Sequence, residues 1–338
     1  MLETSPESQQ ADRSTPPAPA QRRPRRSLRT LGRDSLGYIA IVTLCTVMVM
    51  PFLWMALSSF KPRAELFRYP PTFFPESWTL HHYKNLFVYS RIASGMTGEE
   101  IQQEFGLKAD VGIAAKALKD SSIARVYFNA TRIFAFAALG TVIVGGLAGY
   151  AFAKIEFPGR DMLFLFLLSS MMIPWMTILL PRYVMFRTLG WVGTPLPLFM
   201  PELLFGTSFA IFFFRQHFRT IPNALIEAAL IDGATHWKIF WNLMLPLSKT
   251  VVLSLIVFTL LSKWNSLLGP LIYLTHPREF TPPQVLYHLA MAYGNERDPG
   301  ATGLIMAGSL LTVAPVLITF FLAQRYFISG LTSGAVKE

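Results

Sequence analysis

Only one cysteine, Cys45, occurs in the 338 residues of the chain. A single thiol forms no intrachain disulfide and cannot build a cysteine-based zinc or iron–sulfur centre. Charge is scarce as well. Asp, Glu, Lys and Arg make up 15% of the residues, where a soluble domain carries about a quarter. No Gly-Lys dipeptide occurs, which excludes the lysine-bearing phosphate loop of a nucleotide hydrolase, and no His-Glu-x-x-His is present. The histidines are scattered without metal-ligand spacing: His81 and His82, His217 and His236, His276 and His288. No pair of carboxylates falls inside an apolar run, as a proton-coupled carrier often needs. The acids near such runs, Glu202 among them, read as isolated. Neither a cofactor nor a catalytic constellation is implied for this chain.

What the chain does have is apolar length. Hydrophobic residues make up 52%, and charge clusters between long apolar stretches, which is the membrane pattern. The net charge of +10 does not point to nucleic acid, because the excess is mostly one arginine cluster: Arg22, Arg23, Arg25, Arg26, Arg29 and Arg33. These lie in a tail, 1–34, rich in Pro, Ser, Gln and Arg, whose composition predicts disorder. The apolar stretch that follows is too long for a signal-peptide core and has no small-x-small cleavage site behind it.

Six stretches are long and apolar enough to cross about 30 Å of hydrocarbon: roughly 36–60, 130–153, 162–185, 195–214, 249–273 and 302–323. The expected fold is therefore an all-α polytopic membrane protein, with residues 35–338 as its membrane domain. Fifteen Lys or Arg fall in the segments assigned to the cytoplasm and four in the two short outer loops and their edges. That bias places both termini in the cytoplasm. Pro51, Pro174, Pro201 and Pro315 lie inside spans, where neighbouring helices satisfy the freed carbonyls. Pro174 and Pro181 predict a kink in the third span. Gly145 and Gly149 form a GxxxG packing face. Asn129-Ala130-Thr131 matches a glycosylation sequon by chance, at a membrane edge. In the first outer loop, the segment up to Phe87 is rich in Pro and aromatics, suiting the membrane interface. A polar, helix-patterned insert at 88–123 reads as a small external lid.

The cytoplasmic segment 215–248 is the informative one. Pro222 can open a helix, which is rich in small residues (Ala224, Ala228, Ala229) and broken by Asp232-Gly233. A second helix runs from about Thr235 to Pro246. Both are too short to be stable alone. Trp237, Phe240, Trp241 and Met244 form a stripe expected to pack the second helix on the bundle, leaving the first, with Glu227 exposed, as a knob. An ordinary connector of two short helices fits the same pattern. In the fifth span Lys263 and Asn265 flank Trp264. A mid-span charge costs roughly 2.5–3.5 kcal/mol, so Lys263 is expected to face the bundle or a wet solute pathway.

Glu227-Ala228-Ala229, three residues, Gly233, nine residues, Leu243, one residue, then Leu245-Pro246 resembles the EAA loop of binding-protein-dependent ABC importer permeases. Leu243 stands where that motif usually has isoleucine. The flanking "EAALIDGA" is similar to the carbohydrate-uptake, maltose-type branch, and "AGYAFAKIEFPGR" (148–160), "MMIPWMTILLPRYVMFRTLG" (171–190) and "KWNSLLGPLIYL" (263–274) are further matches. The resemblance covers 36–87 and 124–338. It implies a coupling role for Glu227, Ala228, Ala229, Asp232, Gly233, Leu245 and Pro246 in a groove of an ATPase subunit. The tail 324–338, with Gly330, Thr332 and Gly334, resembles a C-terminus that reaches between two ATPases. The implied partners are a second permease subunit, two ATPase subunits that bind ATP and Mg, an extracytoplasmic solute-binding protein and the bilayer of the cell membrane. The implied cargo is a sugar or sugar derivative. Polyamine, phosphate or peptide import, and a stand-alone secondary carrier, remain the alternatives.

Overall fold

The structure is a computed structural model that describes residues 28–92, 123–293 and 299–335. Most of the basic tail and nearly all of the 88–123 insert lie outside the described residues. All regular structure among the described residues is helical. Long apolar sequence with every backbone donor paired inside its own segment is what a hydrocarbon environment requires.

The chain divides after Phe52 into two units. The first, as far as it is described, is the helix α1 (Leu28–Ser59) up to that point, its apolar side chains exposed across 38–52. The second unit contains the rest. The segment after α1 carries α2 (Arg63–Leu66) and α3 (His81–Ile92). It is organised by Glu65, which accepts hydrogen bonds from Thr72 Oγ1 at 2.6 Å and the Glu76 amide at 3.1 Å. Phe67, Tyr69, Phe74 and Trp78 around it are exposed, the composition of an interfacial segment.

The second unit is built around α4 (Ile123–Lys154), which packs against α7 (Leu196–Phe205), α8 (Ser208–Thr220) and α11 (Lys249–Trp264). Small residues make this approach possible. A Cβ on Gly149 would stand 2.5 Å from Phe214 Cβ, and one on Gly145 would stand 3.0 Å from Ala210 Cβ, so the GxxxG face does pack helices. The last helix, α14 (Pro299–Ala335), packs on α11, α13 (Pro282–Tyr293), α2 and α3. Two apolar clusters sit at opposite ends of α4. One gathers Leu86, Val126, Phe280 and Leu289; the other gathers Tyr150, Phe214, Phe218, Ile239, Phe240 and Met244. Asn129 is 3% exposed and donates from Nδ2 to the carbonyls of Arg278 and Phe280 at 2.8 and 3.1 Å. It ties the loop at 278–280 to α4.

Four helices or near-continuous helix pairs among the described residues are long and apolar enough to span a membrane: Gly37–Ser59, Ile123–Lys154, Leu196–Thr220 and Thr302–Leu322. The third and fifth predicted spans are each divided. In the third, α5 (Arg160–Met171) and α6 (Leu179–Thr188) are separated by turns at 172–178. The break exceeds the expected kink. Pro174 supplies no N–H and disfavours helical geometry at the residue before it, whereas Pro181 is tolerated in the first turn of α6. In the fifth, α11 ends at Trp264 and α12 (Leu268–Tyr273) follows. At its other end α11 meets α10 (His236–Leu247) at a bend of 80°.

Candidate functional site

The segment between α8 and α11 folds as two short helices held at the end of the bundle where α4 finishes. The first, α9 (Asn223–Ile231), buries one large side chain, Ile226, 6% exposed. Ala229 packs beside it, while Glu227 and Ala228 are exposed. Leu225, Leu230 and Ile231 are exposed too, Ile231 by 87%. This nine-residue helix thus leaves its apolar end in the open.

Gly233 ends this helix with φ +78°, and a Cβ there would meet nothing within 4 Å. The position therefore favours glycine for its left-handed backbone and not for space. The Gly233 and Ala234 amides donate to the carbonyls of Leu230 and Ala229, closing the helix end, and Asp232 is exposed. Thr235 then caps α10, its Oγ1 accepting from the Lys238 amide at 3.4 Å.

Within α10, Phe240–Met244 is a π turn whose Leu245 amide bonds to the Phe240 carbonyl. Pro246 cannot donate one residue later, and the wider turn accommodates it. Phe240 and Met244 are fully buried, Ile239 is 2% exposed and Trp241 is half-buried. Trp237, expected in the same stripe, is 59% exposed. The π turn shifts the phase of the helix, so the buried face begins at Ile239. Leu245 packs against the cluster around Phe240 and Met244, and Pro246 is exposed.

Two polar ties bind this loop to α4. Lys154 Nζ donates to the Ile221 carbonyl and to Asn223 Oδ1, both at 2.6 Å. Tyr150 Oη is 2.9 Å from His236 Nδ1. Neither pairing is evident in sequence, because the partners are separated by 67 to 86 positions. The only available signal was Lys154 at a helix C-terminus, a favourable place for a cation.

A second site opens between α7, α11 and α12. Lys263 Nζ lies 2.6 Å from Glu202 Oε1 and 2.8 Å from the Leu198 carbonyl. Glu202 is thus paired, not isolated as its sequence context suggested. The pair lines a cleft of about 480 Å³ with Arg182, Trp175, Ser266 and Tyr273. Glu202 Oε2 is buried without a hydrogen-bond partner. Asn265 caps the end of α11, is exposed, and is not among the lining residues. Among the described residues no group of three His, Cys, Asp or Glu is placed to hold a metal ion. Gly330, Thr332 and Gly334 fall within α14, whose backbone is helical to Ala335.

Residues 122–333 match the family model described as the binding-protein-dependent transport system inner membrane component. The chain is 32% identical over 312 residues to the arabinooligosaccharides transport system permease protein AraQ of Halalkalibacterium halodurans, covering 92% of this chain and 96% of that one. It is 30% identical to the osmoprotective compounds uptake permease protein GgtD of Synechocystis over 89% and 91%, and 26% identical to the lactose transport system permease protein LacG of Rhizobium radiobacter over 92% and 99%. A bacterial ABC transporter that imports alginate shares the fold, with a TM-score of 0.69 at 18% identity, over 90% of this chain and all of that one. A match across most of the chain, on a bundle of apolar helices, makes this protein a member of the binding-protein-dependent family of inner-membrane transport components.

Proposed function

We propose that this chain is one permease subunit of an ATP-driven importer for a sugar, oligosaccharide or sugar derivative. The observation that carries the reading is the α9 knob: a short helix anchored by Ile226 and tied to α4 through Lys154, with Glu227, Leu230 and Ile231 left open. In this reading α9 docks in a groove of an ATPase subunit. Its rigid ties to α4 carry movement of the ATPase into the bundle. The partners are a second permease subunit, two ATPase subunits holding ATP and Mg, and an external solute-binding protein. The divided segments α5–α6 and α11–α12 complete six crossings, with both termini in the cytoplasm.

The cargo reading rests on the relatives named for arabinooligosaccharides and lactose and on the cleft around Lys263. That cleft combines charged, hydroxyl and aromatic groups, the mixture that binds polyhydroxylated solutes by hydrogen bonds and ring stacking. Lys263 and Glu202 line this chain's half of the pathway. ATP binding brings the docked helices together and turns the cleft outward to accept solute; hydrolysis reverses the motion. The test is uptake of labelled oligosaccharides by cells lacking this chain and complemented with either the wild type or Lys263→Met. Restoration by the wild type, with reduced uptake by the variant, supports the reading. Wild-type rescue of polyamine or peptide uptake, without rescue of any sugar, replaces the cargo.

A further inference from the structure

Beside the Lys154–Ile221 tie, at the same end of the bundle as α9, lies a cavity of about 370 Å³ lined by Phe152, Arg160, Asp161, Arg215 and Arg219. We propose that this cavity binds the phosphate of an anionic phospholipid headgroup. The inference uses the orientation given above only to assign the site to the inner leaflet.

The arginines are held in place rather than spread over a surface. Arg215, with a side chain 11% exposed, donates from Nε to the Phe152 carbonyl at 3.2 Å. Its guanidinium carbon lies 3.9 Å from the centroid of the Phe164 ring. Asp161 is the one acid present, and two guanidiniums share it: Arg160 at 3.3 Å and Arg215 at 3.4 Å. Asp161 is itself 72% exposed, so it neutralises them poorly. Arg219 has no acidic partner within 4.0 Å among the described residues. Three guanidiniums against one solvated carboxylate leave the cavity cationic. Planar guanidinium forks fit a phosphodiester in bidentate fashion.

The neighbouring surface decides between a lipid and a free anion. Immediately after Arg160 and Asp161, α5 exposes Met162 by 80%, Leu165 by 64% and Phe166 by 77%. A cationic cavity beside a bare apolar helix face matches a phosphate with acyl chains attached. It does not match phosphate alone, which has no use for that face. Basic pockets at the cytoplasmic edge of helical membrane proteins bind anionic headgroups in this manner.

The test uses the purified full-length chain in a neutral detergent, titrated with phosphatidylglycerol, with phosphatidylcholine of the same acyl chains, or with inorganic phosphate. The readouts are melting temperature and the lipid retained in native mass spectrometry. Phosphatidylglycerol should stabilise saturably, and the other two should not. The exposed-side variant Arg219→Gln, alone and with Arg160→Gln, should weaken the phosphatidylglycerol effect, the double variant on the order of ten-fold or more. Arg187→Gln with Lys249→Gln removes the same charge elsewhere and should leave it unchanged. Equal stabilisation by both lipids, or equal loss in the control variant, would overturn the site. A saturable shift with inorganic phosphate alone would reassign it to a free anion. None of these readouts involves an ATPase or a sugar, so the transport reading can fail without affecting them.

Discussion

Lys154, the last residue of α4, donates to both the Ile221 carbonyl and Asn223 Oδ1 at 2.6 Å. One ammonium thus joins the end of a membrane-crossing helix to the first residue of α9. Removing it frees two acceptors at the base of the knob. Lys154→Met should insert and fold, since the apolar anchor Ile226 remains. Charge-assisted hydrogen bonds contribute about 1.5–3 kcal/mol each when buried. Partial exposure reduces that here, and loosening of about 1–2 kcal/mol is expected. Hydrogen exchange should rise roughly ten-fold at the amides of α9, with little change in α8. Unaltered exchange would remove Lys154 from the linkage.

Gly233 has open space around its missing Cβ and φ +78°, so a substitution acts through backbone strain alone. Gly233→Val should cost about 1–3 kcal/mol locally. Gly233→Asn should cost less, because asparagine tolerates the left-handed region. ATPase co-purification should follow the order Gly, Asn, Val. If valine binds the ATPase as well as glycine does, the turn does not set the presentation of α9.

Glu202 and Lys263 form a 2.6 Å pair with side chains 23% and 17% exposed. Losing one partner leaves the other charge in a poorly solvated cleft. Lys263→Met or Glu202→Gln alone should each destabilise by about 2–3 kcal/mol, less than for a fully buried pair. The double variant should recover part of that loss, because no lone charge remains. Thermal unfolding of the four proteins in one detergent gives the cycle. Additive single effects would mean that the pair is not coupled.

His82 is 1% exposed, bonds through Nε2 to the Lys61 carbonyl at 2.9 Å, and fills the space a Cβ on Gly303 would need. Burial pushes its imidazole below the ordinary value, against the smaller opposing effect of the Lys61 carbonyl. The unfolded chain therefore takes up its proton first as pH falls. Stability should decline as pH drops below about 6.5 and level off once the folded imidazole is protonated too. Melting temperature should fall more between pH 7.5 and 5.5 in the wild type than in His82→Gln. Equal falls would contradict the assignment. Gly303→Ala should be destabilising at every pH, by overpacking against this ring.

The parts of this molecule legible in its sequence are those set by local rules. Apolar runs gave the helices, Asp232-Gly233 gave the break after α9, and small residues gave the close approach of α4 to α8. What was not legible depends on partners far along the chain. Glu202 looked isolated because Lys263 is 61 positions away. The ties from Lys154 and Tyr150 to the α9–α10 segment have no local signature. Trp237 left its expected stripe because the π turn ahead of Pro246 altered the helical phase. Pro174 was visible as a disturbance, but its extent, a break over 172–178, depends on how turns are paired once the helix stops.

The central claim, that α9 couples the bundle to an ATPase, is tested most directly by charge reversal at its exposed face. Glu227 can be changed to Lys without touching any buried residue, so membrane insertion and thermal stability should match the wild type. The measurement is ATP hydrolysis in reconstituted vesicles containing this chain, its partner permease and the ATPase subunits, with and without solute-loaded binding protein. Glu227→Lys should abolish the stimulation by loaded binding protein, with the ATPase either released or hydrolysing at an unresponsive basal rate. Full stimulation with normal ATPase retention would contradict the coupling role of α9.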